Sequence, residues 1–251
     1  MLTKKIFIYR FLKFIPKKIV NFLMIYKYRL NYNLEYLKKK GIKFNTIYDI
    51  GAYHGDWSDF YNHTSLKNCF FYLFEANKKN EKIIKKKNFP YFIGVLSDKI
   101  KKVNFYSKNH SGDSYYLEMT NFYKKNFKPK NLTTNTLDKI VKKQKLKLPD
   151  FIKIDTQGSE IDILKGAKYS LSKCSAIYLE CPIVDYNKKA PNLKDYINYL
   201  NKINFVPYDI CEIHYIDKVV VQIDILFLKK GILKKLLDKK PILKLFSNNF
   251  V

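Results

Sequence analysis

The chain has 251 residues, of which 47% are hydrophobic and 16% aromatic, enough to bury the core of one large domain and to exclude global disorder. Its net charge is +26, which suits a polyanion (nucleic acid, acidic lipid or anionic glycan) or else reflects a lysine-rich coding bias on an ordinary surface. The lysines run through the whole chain, and only Arg10 and Arg29 offer the guanidinium contacts that nucleic-acid readers favour, so no specific nucleic-acid partner is expected.

Cys69, Cys174, Cys181 and Cys211 show no Cys-x-x-Cys spacing and are read as buried free thiols of a reducing cytoplasm rather than as a zinc site. No apolar run reaches the roughly 18 residues of a membrane span. At the N-terminus basic and apolar residues interleave, without the small-residue cleavage site of a signal peptide.

Residues 1–30 alternate basic and apolar groups around Pro16, which predicts two short helices. In a protein read as cytoplasmic, they either rest on an anionic surface, peripheral to the inner membrane, or pack on the domain or on a second copy of the chain, giving a homo-oligomer. Residues 31–40 predict an amphipathic helix ending at Gly41. From residue 46 strands and helices alternate. Strands are predicted over Thr46–Ile50, Phe70–Phe74, Tyr91–Leu96, Ala176–Leu179, Phe205–Ile210 and Val219–Leu228, with a short antiparallel addition over Val103–Tyr106. Helices are predicted near Trp57–Tyr61, over Lys78–Lys86, from Thr136 and over Leu193–Lys202. Phe151–Ile154 is a further strand that ends at Asp155, passes Gly158 and becomes a helix with Ile161, Leu164 and Ala167 on one face. This alternation implies one α/β domain over 45–230, with a basic helical extension at 1–44 and a basic tail at 231–251.

Ligands of open α/β sheets bind outside the carboxyl ends of the strands. Acids stand at several such ends: Glu75, Asp98 after Ser97, Asp155 and Glu180. The first strand instead runs into Asp49-Ile-Gly51-Ala-Tyr-His-Gly55, whose glycines permit a tight turn and close approach to a ligand. The turn lacks the dinucleotide glycine pattern, and no phosphate-loop lysine follows. The spacing suits a nucleoside-type ligand without phosphates, with Glu75 accepting hydrogen bonds from a ribose diol. His54, His110 and His214 are read as loop or loop-edge residues, His54 either reaching an acceptor or bonded to solvent or backbone. The irregular segment 107–131 around Ser111–Ser114 is long enough for a lid, in which Tyr115, Tyr116 and Tyr123 either stack on a sugar ring or pack.

The pieces Tyr48-Asp-Ile-Gly-Ala-Tyr-His-Gly55, Tyr72-Leu-Phe-Glu75, Gly94-Val-Leu-Ser-Asp98, Ser111-Gly-Asp-Ser114, Thr136-Leu-Asp138, Ile152-Lys-Ile-Asp-Thr-Gln-Gly-Ser-Glu160, Leu164-Lys-Gly-Ala167 and Gln222-Ile-Asp-Ile-Leu-Phe227 stand in one order. Together they resemble the FkbM family of S-adenosylmethionine-dependent methyltransferases. The resemblance implies a Rossmann-like α/β fold with a seven-stranded sheet, the last strand antiparallel. It also implies O-methylation, most often of sugars in glycans or of natural products. By the resemblance Asp49, Gly51, Ala52 and Gly55 surround the methionine part of the cofactor, Glu75 holds the ribose, and Ser97 and Asp98 lie near the adenine. Asp155 and Glu160 fall at the reactive face. The chain departs from the family pattern at Ala76, where a proline is usual, and at Thr156-Gln157, which leaves one carboxylate fewer for a metal.

Methyl transfer to a hydroxyl needs alignment and a general base. Asp155 is the first candidate for base or acceptor-orienting group, unless it caps the following helix. Glu160 suits the first helical turn better than the role of base. Glu180 with Asp155 offers a seat for a divalent cation. The reading is an O-methyltransferase of a sugar hydroxyl in a capsule or lipopolysaccharide precursor, whose anionic carrier gives the positive charge a use. The alternatives are a methyltransferase of a lipid or secondary metabolite, and a non-catalytic basic protein for nucleic acid or membrane.

Overall fold

Thr46–Ile50 and Phe151–Ile154 are buried along their whole lengths, as parallel strands covered on both faces must be. They are β1 and β6 of a computed structural model that describes residues 28–107, 112–120 and 128–238. The predicted helices before residue 28, His110, Ser111, Tyr123 and the tail beyond residue 238 lie outside the described residues. In chain order the other strands are β2 (Phe70–Glu75), β3 (Tyr91–Ile93), β4 (Lys102–Phe105), β5 (Lys130–Thr133), β7 (Ala176–Pro182), β8 (Phe205–Ile216) and β9 (Val219–Lys229). Seven of them form one sheet in the order β3-β2-β1-β6-β7-β9-β8. Strands β1, β2, β3, β6 and β7 are parallel, and β9 runs antiparallel between β7 and β8. This is the Rossmann-like sheet with an antiparallel last strand that the sequence led us to expect.

The helices are α1 (Arg29–Lys39), α2 (Asp56–Asn62), α3 (Glu81–Ile84, flanked by 3-10 turns), α4 (Leu137–Gln144), α5 (Glu160–Lys165), α6 (Leu193–Lys202) and α7 (Lys230–Asp238). Thr136 caps α4 by accepting from the Lys139 amide, and Asn192 with Asp195 forms a capping box on α6. Alternate residues of each strand face opposite layers. Tyr48, Ile50, Ile152 and Ile154 pack under α4, α5 and α6, while Ile47, Phe151, Tyr178 and Leu226 pack against α1 and α2. Asp49, Lys153 and Asp155 share the parity of the second layer.

Four expectations shift. β3 ends at Ile93, and Leu96 makes only an isolated bridge to Asn135. β5 pairs with β4, although Lys130–Thr133 holds only one apolar residue and gives no strand signal. β8 continues to Ile216 because β9 supplies a partner along its whole length; His214 is therefore a strand residue, not a loop residue. Lastly, α1 is welded to the sheet: Leu30, Leu34 and Leu37 join the core, and Arg29 donates through Nε and Nη2 to Asp209 of β8. α7 buries Leu233 and Leu237, and its Ile232 and Leu236 pack against the same cluster as α1. All four cysteines are free, and burial pushes the Cys174 and Cys211 thiols up to about 12, which leaves them inert. Among the described residues no helix is long and apolar enough to cross a membrane.

Candidate active site

The carboxyl ends of β1 and β6 nearly touch. A Cβ on Gly51, whose φ is 74°, would lie 1.8 Å from the Asp155 carbonyl oxygen, so only glycine fits. A cleft opens over these ends, lined by Gly51, Tyr53, Phe74, Glu75, Val95, Leu96, Asp155, Thr156 and Ile163. The predicted lid crosses it: Asp113, Ser114 and Tyr115 line the same cleft. Ser114 Oγ donates to the Gln157 carbonyl at 3.0 Å, and Asp113 accepts from Asn77 and Ser107 at 2.7 and 2.8 Å.

Glu75 is buried in the wall. Its Oε1 accepts from the Asn77 amide at 2.8 Å and Asn80 Nδ2 at 3.1 Å, and Oε2 from the Tyr53 amide at 2.8 Å. Burial raises its pKa, against the lowering by these donors. A carboxylate offers about four acceptor positions, so Oε2 keeps one for a ligand hydroxyl.

The other residues of the first turn serve differently than expected. Asp49 does not line the cleft. Its side chain faces the layer of α1 and α2, where it accepts from Ser58 Oγ at 2.7 Å and pairs with Lys153 Nζ at 3.1 Å. Lys153 Nζ also donates to the Gly51 carbonyl at 2.9 Å. Burial opposes the Lys153 charge, but the Asp49 and Asp155 carboxylates outweigh it and raise its pKa. Asp49 thus fixes the base of the glycine turn through an ion pair between neighbouring strands. Ala52 is buried and Gly55 starts α2 with φ 75°; both shape the turn without lining the cleft. Ser97 and Asp98 sit behind Tyr115: Ser97 Oγ donates to Asp98 at 3.0 Å and lies 3.2 Å from the Tyr115 hydroxyl, while Lys101 pairs with Asp98 at 2.7 Å. The cleft wall at that end is Val95 and Leu96 instead. His54 stacks on Tyr53 at 3.7 Å between ring centroids and lines neither this cleft nor the next cavity.

Beyond Asp155 lies a second cavity. Trp57, Tyr61, Lys153, Tyr178, Glu180, Glu212, His214 and Asp224 line it, and Asp155 belongs to both spaces. Gln157 joins the two expected carboxylates: its Nε2 donates to Asp155 Oδ1 at 3.1 Å and Glu180 Oε1 at 2.7 Å. That amide bridges the two carboxylates that the sequence offered as a possible seat for a divalent cation. Burial and then Asp155 push the Glu180 carboxyl well above the usual range. Glu160 is a first-turn residue of α5. It accepts from the Thr156 and Gly158 amides at 2.7 and 3.0 Å and from the Tyr196 hydroxyl, so it holds the loop that presents Asp155. Tyr115 and Tyr116 both bond Asp162 and stand on the cleft side, away from the second cavity.

Sequence reasoning missed Lys153, Gln157, Glu212 and Asp224. For Lys153 a signal existed: a lysine inside Phe-Ile-Lys-Ile, a wholly apolar strand otherwise, demands a buried acid on a neighbouring strand, and Asp49 is that acid.

No curated protein sequence matches the chain. Among solved structures, an FkbM methyltransferase of Methylobacillus flagellatus is 17% identical, with a TM-score of 0.46 over 72% of this chain and 43% of that one. This chain thus spans less than half the length of that relative. An O-methyltransferase of Bacillus cereus, solved with S-adenosylhomocysteine, is 12% identical with a TM-score of 0.48 over 80% of each chain. TrmK of M. capricolum, also solved with S-adenosylhomocysteine, is 16% identical, with a TM-score of 0.44 over 79% of this chain and 68% of that one. The model of the methyltransferase FkbM domain matches residues 49–207. That match runs from the tip of β1 through every acidic strand end of the cleft into β8, and the chain belongs to the methyltransferase FkbM domain family.

Proposed function

We propose that this methyltransferase uses S-adenosylmethionine bound in the glycine-turn cleft and methylates a hydroxyl of a sugar-containing acceptor held beyond Asp155. The observation that carries the reading is the position of Asp155, shared by the two spaces. The cleft fits the cofactor: Glu75 Oε2 has an acceptor position left for a ribose hydroxyl, Gly51 presents backbone, and Phe74, Val95 and Leu96 give an apolar wall for a flat base. The second cavity combines aromatic faces at Trp57, Tyr61 and Tyr178 with carboxylates, which suits a polyhydroxylated ring better than a lipid chain.

When bound, S-adenosylmethionine supplies the electrophilic methyl group. Asp155 would accept the proton of the acceptor hydroxyl as that oxygen takes the methyl group. Gln157 fixes the Asp155 carboxylate by its amide. Burial and the neighbouring Asp155 make Glu180 hold a proton to higher pH than an ordinary glutamate. A nucleotide- or lipid-linked precursor of capsule or lipopolysaccharide type would keep its phosphates on the lysine-rich surface outside this acidic cavity.

Calorimetric titration with S-adenosylmethionine and S-adenosylhomocysteine tests the cleft. Glu75→Ala should weaken binding about 10- to 100-fold, the worth of one charged hydrogen bond. Asp155→Asn should keep that binding and lose roughly 100- to 10,000-fold in transfer to sugar-nucleotide acceptors. Absence of binding by wild type, or full activity in Asp155→Asn, would sink the reading. Salt-sensitive RNA or DNA affinity without cofactor binding would put the basic-binder alternative in its place.

A further inference from the structure

On β8 and β9, Glu212 and Asp224 are direct cross-strand partners, and His214 pairs with Gln222 one step along the same ladder. Across the next ladder Asp224 faces Glu180 of β7. Carboxyl groups on three adjacent strands therefore stand in one row. Among the described residues, the basic groups of the cavity wall are Lys153 and His214, and Lys153 is engaged by Asp49 and the Gly51 carbonyl.

The geometry at its outer end suits a metal. The ligand atoms of Glu212, His214 and Asp224 lie within 4.8 Å of one another. Two ligands on one ion about 2.1 Å away are at most about 4.2 Å apart, so a side-chain rotation closes the set. Asp224 is buried and oriented: its Oδ2 accepts from the Tyr178 hydroxyl at 2.8 Å, which leaves Oδ1 toward His214 Nε2 at 3.2 Å. Register shifts on β8 between Ile210 and Glu212 and between His214 and Tyr215 bracket the two β8 ligands. Such bulges re-aim side chains beside sites.

We propose that Glu212, His214 and Asp224 bind a divalent transition-metal ion at the far end of the second cavity. One imidazole with two carboxylates favours Mn2+ or Zn2+ over Mg2+ or Ca2+. An ion held there would stand in the cavity that Asp155 and Glu180 also line, where it would coordinate an acceptor oxygen and lower the pKa of its hydroxyl. That use rests on the reading of this cavity as the acceptor site; the binding itself does not.

The test is calorimetric titration of Mn2+ and of Zn2+ into metal-stripped protein without cofactor, with the spectrum of bound Mn2+ followed by electron paramagnetic resonance. One saturable site per chain is expected, weakened about 10- to 100-fold in His214→Ala and Glu212→Gln. S-adenosylmethionine binding should be unchanged in both variants, which shows that they fold. His214 is 37% exposed in its side chain, so its removal is tolerable. No saturable binding by wild type, or His214→Ala binding as tightly as wild type, overturns the site and leaves a plain His214–Asp224 ion pair. One-site metal binding without methyl transfer to any sugar acceptor would overturn the acceptor reading and keep the metal.

Discussion

At the residue scale, the pair Lys153–Asp49 sets the geometry of the glycine turn although neither touches the cleft. Both side chains are almost wholly buried, so removing one partner strands a charge. Lys153→Met should cost about 3–5 kcal/mol in urea unfolding, with much of it recovered in Lys153→Met/Asp49→Asn. A loss below about 1 kcal/mol for the single variant would contradict this account. His214 gives a pH signature in the metal-free protein. Its hydrogen bond to Asp224 raises its pKa, against partial desolvation. A raised histidine contributes stability in full below its ordinary value of about 6.5 and loses it as pH rises through the folded value. The melting temperature of wild type should therefore decline from mildly acid to mildly alkaline pH by more than that of His214→Gln. Parallel profiles for the two proteins would refute the pairing.

At the element scale, the loop from β6 to α5 presents Asp155, and α6 holds that loop from behind. Tyr196 reaches from α6 to Glu160, which gathers the Thr156 and Gly158 amides. Tyr196→Phe removes a hydrogen bond to a buried carboxyl, about 1.5–3 kcal/mol. If Asp155 is the base proposed above, kcat should fall while the Kd for S-adenosylmethionine stays within about twofold. Equal losses in both would mean that the loop builds the cofactor cleft instead. Gly51→Ala makes the complementary case. Its methyl would collide with the Asp155 carbonyl at 1.8 Å, so the ends of β1 and β6 must part and cofactor binding should vanish with a drop in stability.

At the scale of the whole molecule, charge is segregated. The chain carries +26, yet Asp155, Glu180, Glu212 and Asp224 gather in one cavity. An anionic acceptor would be drawn by the surface and read by the cavity. Its KM should then rise with ionic strength, because exposed charges are screened beyond about 10 Å at 0.1 M salt. Cofactor affinity, set by contacts inside the cleft, should not follow. A salt-independent KM would remove the surface from recognition.

The strands β1, β2, β6 and β9, the helix α6 and the glycine turn were legible in the sequence, because each is fixed by local periodicity, caps and turn residues. Glu75 and Asp155 were legible for the same reason: an acid at a strand end is placed by the strand alone. What the sequence did not disclose rests on partners far along the chain. β5 has no pattern of its own and exists because β4 pairs with it. Lys153 meets Asp49 across 104 residues of sequence, by the parallel register of β1 with β6. Gln157 reaches Glu180, and His214 reaches Asp224, only after β7, β9 and β8 are laid side by side with their bulges. Local chemistry determines which elements form and what their ends carry. Which side chains then share a cavity depends on strand order and register, and these are decided by the packing of the whole sheet.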